Sequence, residues 1–348
     1  MTTVEEAIES FYNKPFYFSY SSLSRLLWSP PNFFQTYILG LKEESTEKHL
    51  VEGKVIHALL LNKDNFDDLF IVSPENLPTG TTKKIIDRVF AIHQSEENPK
   101  PNPTLHQYED QILEIMKELN YFQNLVDEKA TEKNPLPKTG DIKRLEKVLT
   151  DQSKNYFSFL QKRAGKTLVD QETVDFCKVA AEVIHAHSKA ADLMNLLGNE
   201  MQNREVLNET YISMDLPMYK FGLHGIPDSI VVDHDAKVIH INDLKTTQRS
   251  LSEFAETVEK YNYWMQAAIY YLMVTEKFKK FLADGYLIKF HFIVIDCNYM
   301  VYCFPVSEDS MELWIRRLLD EVLIKANYHY KNRRYELPYQ FEVSGVTL

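Results

Sequence analysis

The chain has 348 residues, 44% of them hydrophobic and 12% aromatic, so it can bury a sizeable core as one large domain or two small ones. Its 39 basic and 50 acidic side chains leave a formal net charge of −11, which weighs against a protein that coats nucleic acid through bulk charge but not against a local basic track. There is no Gly-rich ATPase or dinucleotide loop, no internal repeat and no apolar run long enough to span a membrane; three scattered cysteines (Cys177, Cys297, Cys303) predict free thiols in a reducing, cytoplasmic setting.

In chain order, a short helix is predicted to start at Ser21 or Ser22, which can cap it, and to stop at Pro30-Pro31. A second helix covers about 50–61. Residues 78–104 read as helix plus loop, and 105–163 as polar helix interrupted at 134–137. Another helix runs over about 170–196. Strands follow at 207–216, 219–233 and 237–245. A long helix over about 252–278 separates them from strands at 286–296 and 299–306, and a helix over about 308–328 follows. Strands, a long helix, then more strands predict an α/β class: a mixed central sheet flanked by helices, with a helical N-terminal and middle region. The expected organisation is one domain over 1–348. It comprises N-terminal helices (1–75), a mainly helical insertion (78–200), an α/β core (201–330) and a tail (331–348).

The chemistry concentrates in residues 225–245, GIPDSIVVDHDAKVIHINDLK. Residues i and i+2 of a strand share a face, so Asp243 and Lys245 project together while Leu244 turns away. A hairpin at Asp233, His234 and Asp235 would fold Asp228 back toward them. Two carboxylates, an ammonium and a backbone carbonyl then meet at one point, which suits a hard divalent cation beside a phosphate. Two carboxylates about 4 Å apart repel by roughly 4 kcal/mol at an effective dielectric near 20. Among Ile226, Ile230, Val231, Ile239 and Ile241 both stay ionised only with positive charge between them. An Asp two before a Lys is common in itself, and recurs at 127–129, 141–143 and 235–237. The flanking β pattern is what singles out this one.

An aspartate strand, then Asp-x-Lys, then a helix carrying Gln-x-x-x-Tyr resembles the PD-(D/E)XK nuclease superfamily. The likeness is to its exonuclease VIII (RecE)-like branch, related to the RecB nuclease domain and to phage-type exonucleases. Further anchors are Ser19-Tyr20-Ser21-Ser22-Leu23, Ser29 through Phe34, Gly53-Lys54-Val55-Ile56-His57, Phe66 through Pro74, and Gly165-Lys166-Thr167 before a helix. Together they span most of 17–275, with 78–160 matching loosely.

The resemblance implies a restriction-endonuclease-like core. It makes Asp228, Asp243 and the Leu244 carbonyl ligands of one or two Mg²⁺ or Mn²⁺ ions, with His57 completing the shell from the N-terminal helix. Glu209 is similar to the acidic residue on the preceding strand. Lys245 would orient or activate the attacking water, and Gln266 and Tyr270 would position the nucleic acid or the surroundings of Lys245. Some relatives hold an iron–sulfur cluster on four cysteines, which three cannot supply, so no cluster is expected. The implied activity is a metal-dependent DNA exonuclease acting at duplex ends, 5′ to 3′, in recombination. The implied partners are a single-strand annealing protein and further copies of the chain, with phage kinship and no membrane. A structure-specific endonuclease or nickase, or a non-catalytic DNA-binding or assembly protein keeping the fold, stand as alternatives. Candidates for a basic track are Lys83-Lys84, Arg249, Lys277 with Lys279-Lys280, Arg316-Arg317, and Lys331 with Arg333-Arg334. The last lies among tyrosines, which suits phosphate contact and base stacking, and equally suits an ordinary helix end.

Overall fold

Thr3 opens the first helix, α1 (Val4–Tyr12), in a capping box with Glu6. Strand β1 (Phe16–Phe18) leads to α2 (Tyr20–Trp28). Its cap is Ser19, whose hydroxyl accepts the Ser22 N–H, so the expected cap at Ser21 or Ser22 moves back and Ser22 sits inside the first turn. Pro30 then begins α3 (Pro30–Phe33), where its missing N–H costs nothing. A π turn (Phe34–Ile38) precedes α4 (Lys48–Leu61), α5 (Phe66–Leu69), β2 (Phe70–Val72), α6 (Gly80–Ser95) and α7 (Glu109–Glu118). Next come α8 (Gly140–Val148), α9 (Asp151–Lys162), β3 (Thr167–Val169), α10 (Gln171–Ala186) and α11 (Ser188–Leu193). The strands β4 (Arg204–Asn208), β5 (Ile212–Asp215), β6 (Phe221–Gly225), β7 (Ser229–Asp233) and β8 (Val238–Thr247) follow. Then come α12 (Phe254–Lys260), α13 (Tyr263–Lys277), α14 (Lys279–Ala283), β9 (Leu287–Asp296) and β10 (Val301–Pro305). The described chain closes with α15 (Glu308–Arg317), a π turn (Leu318–Val322), α16 (Leu323–Asn332) and α17 (Tyr339–Val343). This computed structural model describes residues 3–41, 48–62, 65–97, 101–130, 138–198 and 203–345, with backbone alone at 48 and 49. The expected interruption at 134–137 lies outside them.

The chain divides into two compact units, Met1–Lys63 with Cys177–Leu348, and Asp64–Phe176. The second unit is helical apart from the parallel pair β2–β3. Its core joins Ile85, Ile86 and Val89 of α6 to Ile112 and Met116 of α7 and Phe157 of α9. Its bounds differ from the insertion expected at 78–200. Residues from 177 onward pack with the first unit, where the Cys177 thiol approaches the Glu52 carbonyl (3.6 Å) and the Asn242 amide donates to the Leu193 carbonyl (2.7 Å).

The first unit holds a five-stranded sheet ordered β10-β9-β8-β7-β4 and a three-stranded sheet ordered β1-β6-β5. In the larger sheet only β8 and β9 run parallel, and the chain crosses between them through α12–α14. Alternation along β8 places Ile239 and Ile241 in one core with Ile230, Val232, Phe290, Phe292 and Val294 and with Met265, Ala268, Ile269 and Met273 of α13. Burying a side chain of this size contributes roughly 1.5–3 kcal/mol. A charge at Ile241 would break this layer.

Three long elements expected from periodicity are broken. The strand at 207–216 is cut at Glu209, in the left-handed region (φ 44), so β4 and β5 join different sheets. The strand at 219–233 is cut at Ile226-Pro227, where proline has no N–H for a ladder and β6 leaves the smaller sheet for β7 in the larger. The helix at 252–278 breaks at Asn262 (φ 56), which separates α12 from α13; asparagine tolerates this conformation better than most residues.

Candidate active site

The β7–β8 hairpin turns through residues 234–237, and its register sets Ser229 opposite Asn242. Asp228, one residue outside that pair, therefore lies across from Asp243. Asp228 shares a face with Ile230, and Asp243 and Lys245 continue the face of Ile239 and Ile241, so all three side chains leave the same side of the sheet. The local fold follows from the sequence: β-branched residues hold both strands, and Pro227 ends β6 just before Asp228.

Asp243 is fully buried and Asp228 is 8% exposed. The Lys245 ammonium meets Asp243 Oδ2 at 2.5 Å, and the Leu244 N–H donates to Asp228 Oδ2 at 2.7 Å. Asp243 Oδ1 is buried without a hydrogen-bond partner among the described residues. Burial pushes the Asp243 carboxyl up to about 6, and Asp228 adds to the rise against the opposing pull of Lys245. At Lys245 burial pulls the other way, but Asp243, Asp228 and Tyr263 outweigh it and hold the ammonium above its ordinary value. Desolvation thus wins at the carboxyl and paired charge wins at the amine.

His57 reaches this point from α4, with Nδ1 3.4 Å from Asp228 Oδ1 and Nε2 3.2 Å from the Leu244 carbonyl. Gly53 lies one helical turn before it against Thr246 of β8. On α13 the Gln266 amide donates to the Tyr270 hydroxyl, which donates to the Ile226 carbonyl, both at 3.1 Å. Gln266 Oε1 is buried without a partner among the described residues. Gly225 backs onto this tyrosine so closely that a Cβ there would lie 2.6 Å from its ring. Asp228, Asp243, Lys245, Leu244 and His57 are thus brought together, and Gln266 and Tyr270 brace the corner that leads into Asp228. Glu209 sits elsewhere: it is exposed, its N–H donates to the Asp228 carbonyl (3.0 Å), and its carboxylate makes no ion pair among the described residues.

Two tyrosines join the site that motif reasoning did not single out. The Lys245 ammonium lies 4.8 Å from the centre of the Tyr263 ring. The Tyr20 hydroxyl bonds the Tyr261 carbonyl, and its phenol is pushed up to about 12 by burial and by Tyr263, against Lys245. Nothing separates Tyr263 from a core aromatic in the run YNYW except its place just after the break at Asn262.

Most candidate basic clusters are engaged in ion pairs: Lys83 with Asp87, Lys279 with Glu276, Arg316 with Glu312, Arg317 with Glu259, and Arg334 with Glu342. Lys331 and Arg333 form none among the described residues.

The donors fit a hard cation. Asp243 Oδ1, Asp228 Oδ1 and the Leu244 carbonyl are acceptors crowded at one point, and a neutral imidazole at His57 has a single N–H to offer them. Among the described residues no group of three or more His, Cys, Asp or Glu side chains is arranged to hold a metal. The Leu244 carbonyl adds an oxygen beside the two carboxylates, and Mg²⁺ needs no more than one or two carboxylates with water and phosphate oxygens.

The sequence profile of the PD-(D/E)XK nuclease superfamily matches residues 17–321. The chain belongs to that superfamily. The nuclease has the restriction-endonuclease-like α/β fold that goes with it. A solved structure from Eubacterium rectale, named "Putative exonuclease", is 12% identical with a TM-score of 0.42, over 100% of this chain and 95% of that one. The solved protein SSO0001 is 10% identical with a TM-score of 0.22, over 77% of this chain and 98% of that one. No curated protein matches the nuclease. No helix among its described residues is long and apolar enough to cross a membrane.

Proposed function

We propose that this nuclease is a metal-dependent DNA exonuclease, and that the first unit, with the 201–330 core, carries its catalysis. The observation that carries the reading is the convergence of Asp228 and Asp243 beside Lys245, with one Asp243 oxygen buried and unpartnered. A buried acceptor left without a donor costs about 1–3 kcal/mol, and such a cost is characteristic of a site that awaits a ligand.

Asp228, Asp243 and the Leu244 carbonyl would hold Mg²⁺ or Mn²⁺, with His57 at the edge of the shell and Glu209 a more distant acid. When bound, the ion lowers the pKa of water and polarises the scissile phosphate. Lys245 sets a fixed positive charge beside the point where negative charge grows, and can orient the attacking water. Tyr263 shields that ammonium from solvent. Gln266 and Tyr270 hold the Ile226 carbonyl, and with it the chain entering Asp228. Action at duplex ends, 5′ to 3′ polarity and a place in recombination beside a single-strand annealing protein rest on the resemblance to the exonuclease VIII-like branch, as does assembly with further copies.

The test is a time course on end-labelled linear duplex with Mg²⁺ or Mn²⁺ and with chelator. Metal-dependent release of 5′-phosphorylated nucleotides from ends is expected. Cutting of closed circular DNA would replace the exonuclease by an endonuclease. No cleavage of any duplex, with no metal binding by calorimetry, would leave a binding or assembly protein.

A further inference from the structure

In the first unit Tyr12, Lys14, Pro15, Lys220, Tyr330, Lys331 and Arg333 line a cavity of 330 Å³. Four of these are cations and none is an acid. Lys14, Lys220, Lys331 and Arg333 are all exposed, and none forms an ion pair among the described residues. In a chain with more acids than bases four unpaired cations at one pocket stand out, since Lys279, Arg316 and Arg334 of the other exposed bases each found a carboxylate. No acid lines the pocket to pair with these four charges, which solvent and the Tyr12 ring alone offset.

The pocket has a built frame. The Arg333 guanidinium lies 4.3 Å from the centre of the Tyr12 ring, and the Tyr12 hydroxyl bonds that of Tyr335 at 2.6 Å. Arg333 itself ends α16 in the left-handed conformation, which turns the chain after Lys331. Stacked guanidinium and flanking ammonium groups suit phosphodiester oxygens.

Its place in the fold relates it to the acidic site. Pro15 and Lys220 immediately precede β1 and β6, which run parallel. Asp228 lies beyond the far end of β6. Eight residues at about 3.3 Å each bound the separation at about 26 Å, and the strand itself accounts for about 15 Å. At roughly 3.4 Å per base pair this is at most about eight base pairs of duplex.

We infer that this pocket is a second phosphate station, which grips the nucleic-acid backbone several base pairs from the bond being cut. The inference deepens the proposed function and rests on it for the ligand. It assigns to Lys14, Lys220, Lys331 and Arg333 a grip on substrate in a chain whose net charge is −11.

The experiment uses the full chain and hairpin duplexes of stepped length, with binding read by fluorescence anisotropy between 50 and 200 mM salt. In Lys14→Ala/Lys220→Ala/Lys331→Ala/Arg333→Ala, Kd for a long duplex rises about tenfold or more and the salt slope falls by roughly 0.9 for each phosphate that is no longer neutralised. The weakening grows with duplex length up to about eight base pairs and then levels. Lys14→Glu/Lys331→Glu, at two exposed positions, repeats the weakening should the fourfold variant melt early. Arginine at both positions restores the wild-type Kd. An unchanged Kd and slope in a folded variant, while wild type still cuts DNA, overturns the pocket and leaves the nuclease reading intact. A weakened grip on DNA in a protein that cuts nothing overturns the nuclease reading and leaves the pocket.

Discussion

The β7–β8 hairpin buries an acid at each end. At the turn, Asp233 accepts from the Arg204 guanidinium and the Ala236 N–H, both at 2.8 Å. Those donors and the Arg204 charge overcome burial and hold its carboxyl below the usual range. At the open end Asp243 has one oxygen on Lys245 and the other without a partner among the described residues, and burial pushes it up to about 6. Both carboxylates belong to one hairpin and both are buried, Asp243 more deeply than Asp233, yet one is satisfied from within the chain and the other is not among the described residues. A satisfied acid stabilises the fold; an unsatisfied one costs it stability.

Exchanging the two acids in turn is the sharpest way to break that contrast. Asp243→Asn or Lys245→Ala should lower the rate of duplex hydrolysis by about 10²–10³-fold or more, while Asp233→Asn stays within a few-fold of wild type. Initial rates with Mg²⁺ measure this, and an active Asp243→Asn enzyme would end the distinction. On stability the order reverses. Asp233→Asn should cost about 1–3 kcal/mol in denaturant titrations at pH 7. Because its folded pKa is depressed, that difference is present above the ordinary carboxylate pKa of 3.8 and shrinks as pH falls through the folded value.

Asp243 carries the opposite sign. Its raised pKa makes its contribution to the metal-free protein full below pH 3.8 and lost as pH rises through about 6. A cation that needs the ionised form must expel the proton. Mg²⁺ titrations in buffers of different ionisation enthalpy should therefore release about half a proton per chain at pH 6 and almost none at pH 8; equal release at both would remove the assigned ligand. The smallest effect belongs to the brace. Tyr270→Phe deletes the hydroxyl between Gln266 and the Ile226 carbonyl, and should cost about 1 kcal/mol by thermal melting with less than a tenfold fall in rate.

The hairpin of the candidate site was legible because a strand has period two and because isoleucines and valines flank both acids. Asp243, Lys245 and the return of Asp228 follow from those facts alone. His57 was legible through the spacing of Gly53 and His57 in a resembling motif, and its approach to Leu244 is a tertiary fact that no local pattern encodes. The breaks at Glu209 and Asn262 were hidden, since neither carries the glycine or proline that marks a reversal. Tyr263 was hidden by its surroundings, as an aromatic among aromatics has no distinguishing period. The basic pocket was half visible: Lys331 and Arg333 stand together in the chain, while Lys14 and Lys220 reach them only through the parallel pairing of β1 with β6.

Gly225 gives the corner before Asp228 a vulnerability of its own. Tyr270 occupies the space that any side chain at 225 would need, with Met273 pressing from beside it. A substitution as small as alanine would have to swing the ring away and release the Ile226 carbonyl, without altering a single acid. Position 225 is therefore where a heat-sensitive allele of this nuclease should arise: a chain that chelates and cuts in the cold, and loses the aim of its first aspartate as the packing loosens on warming.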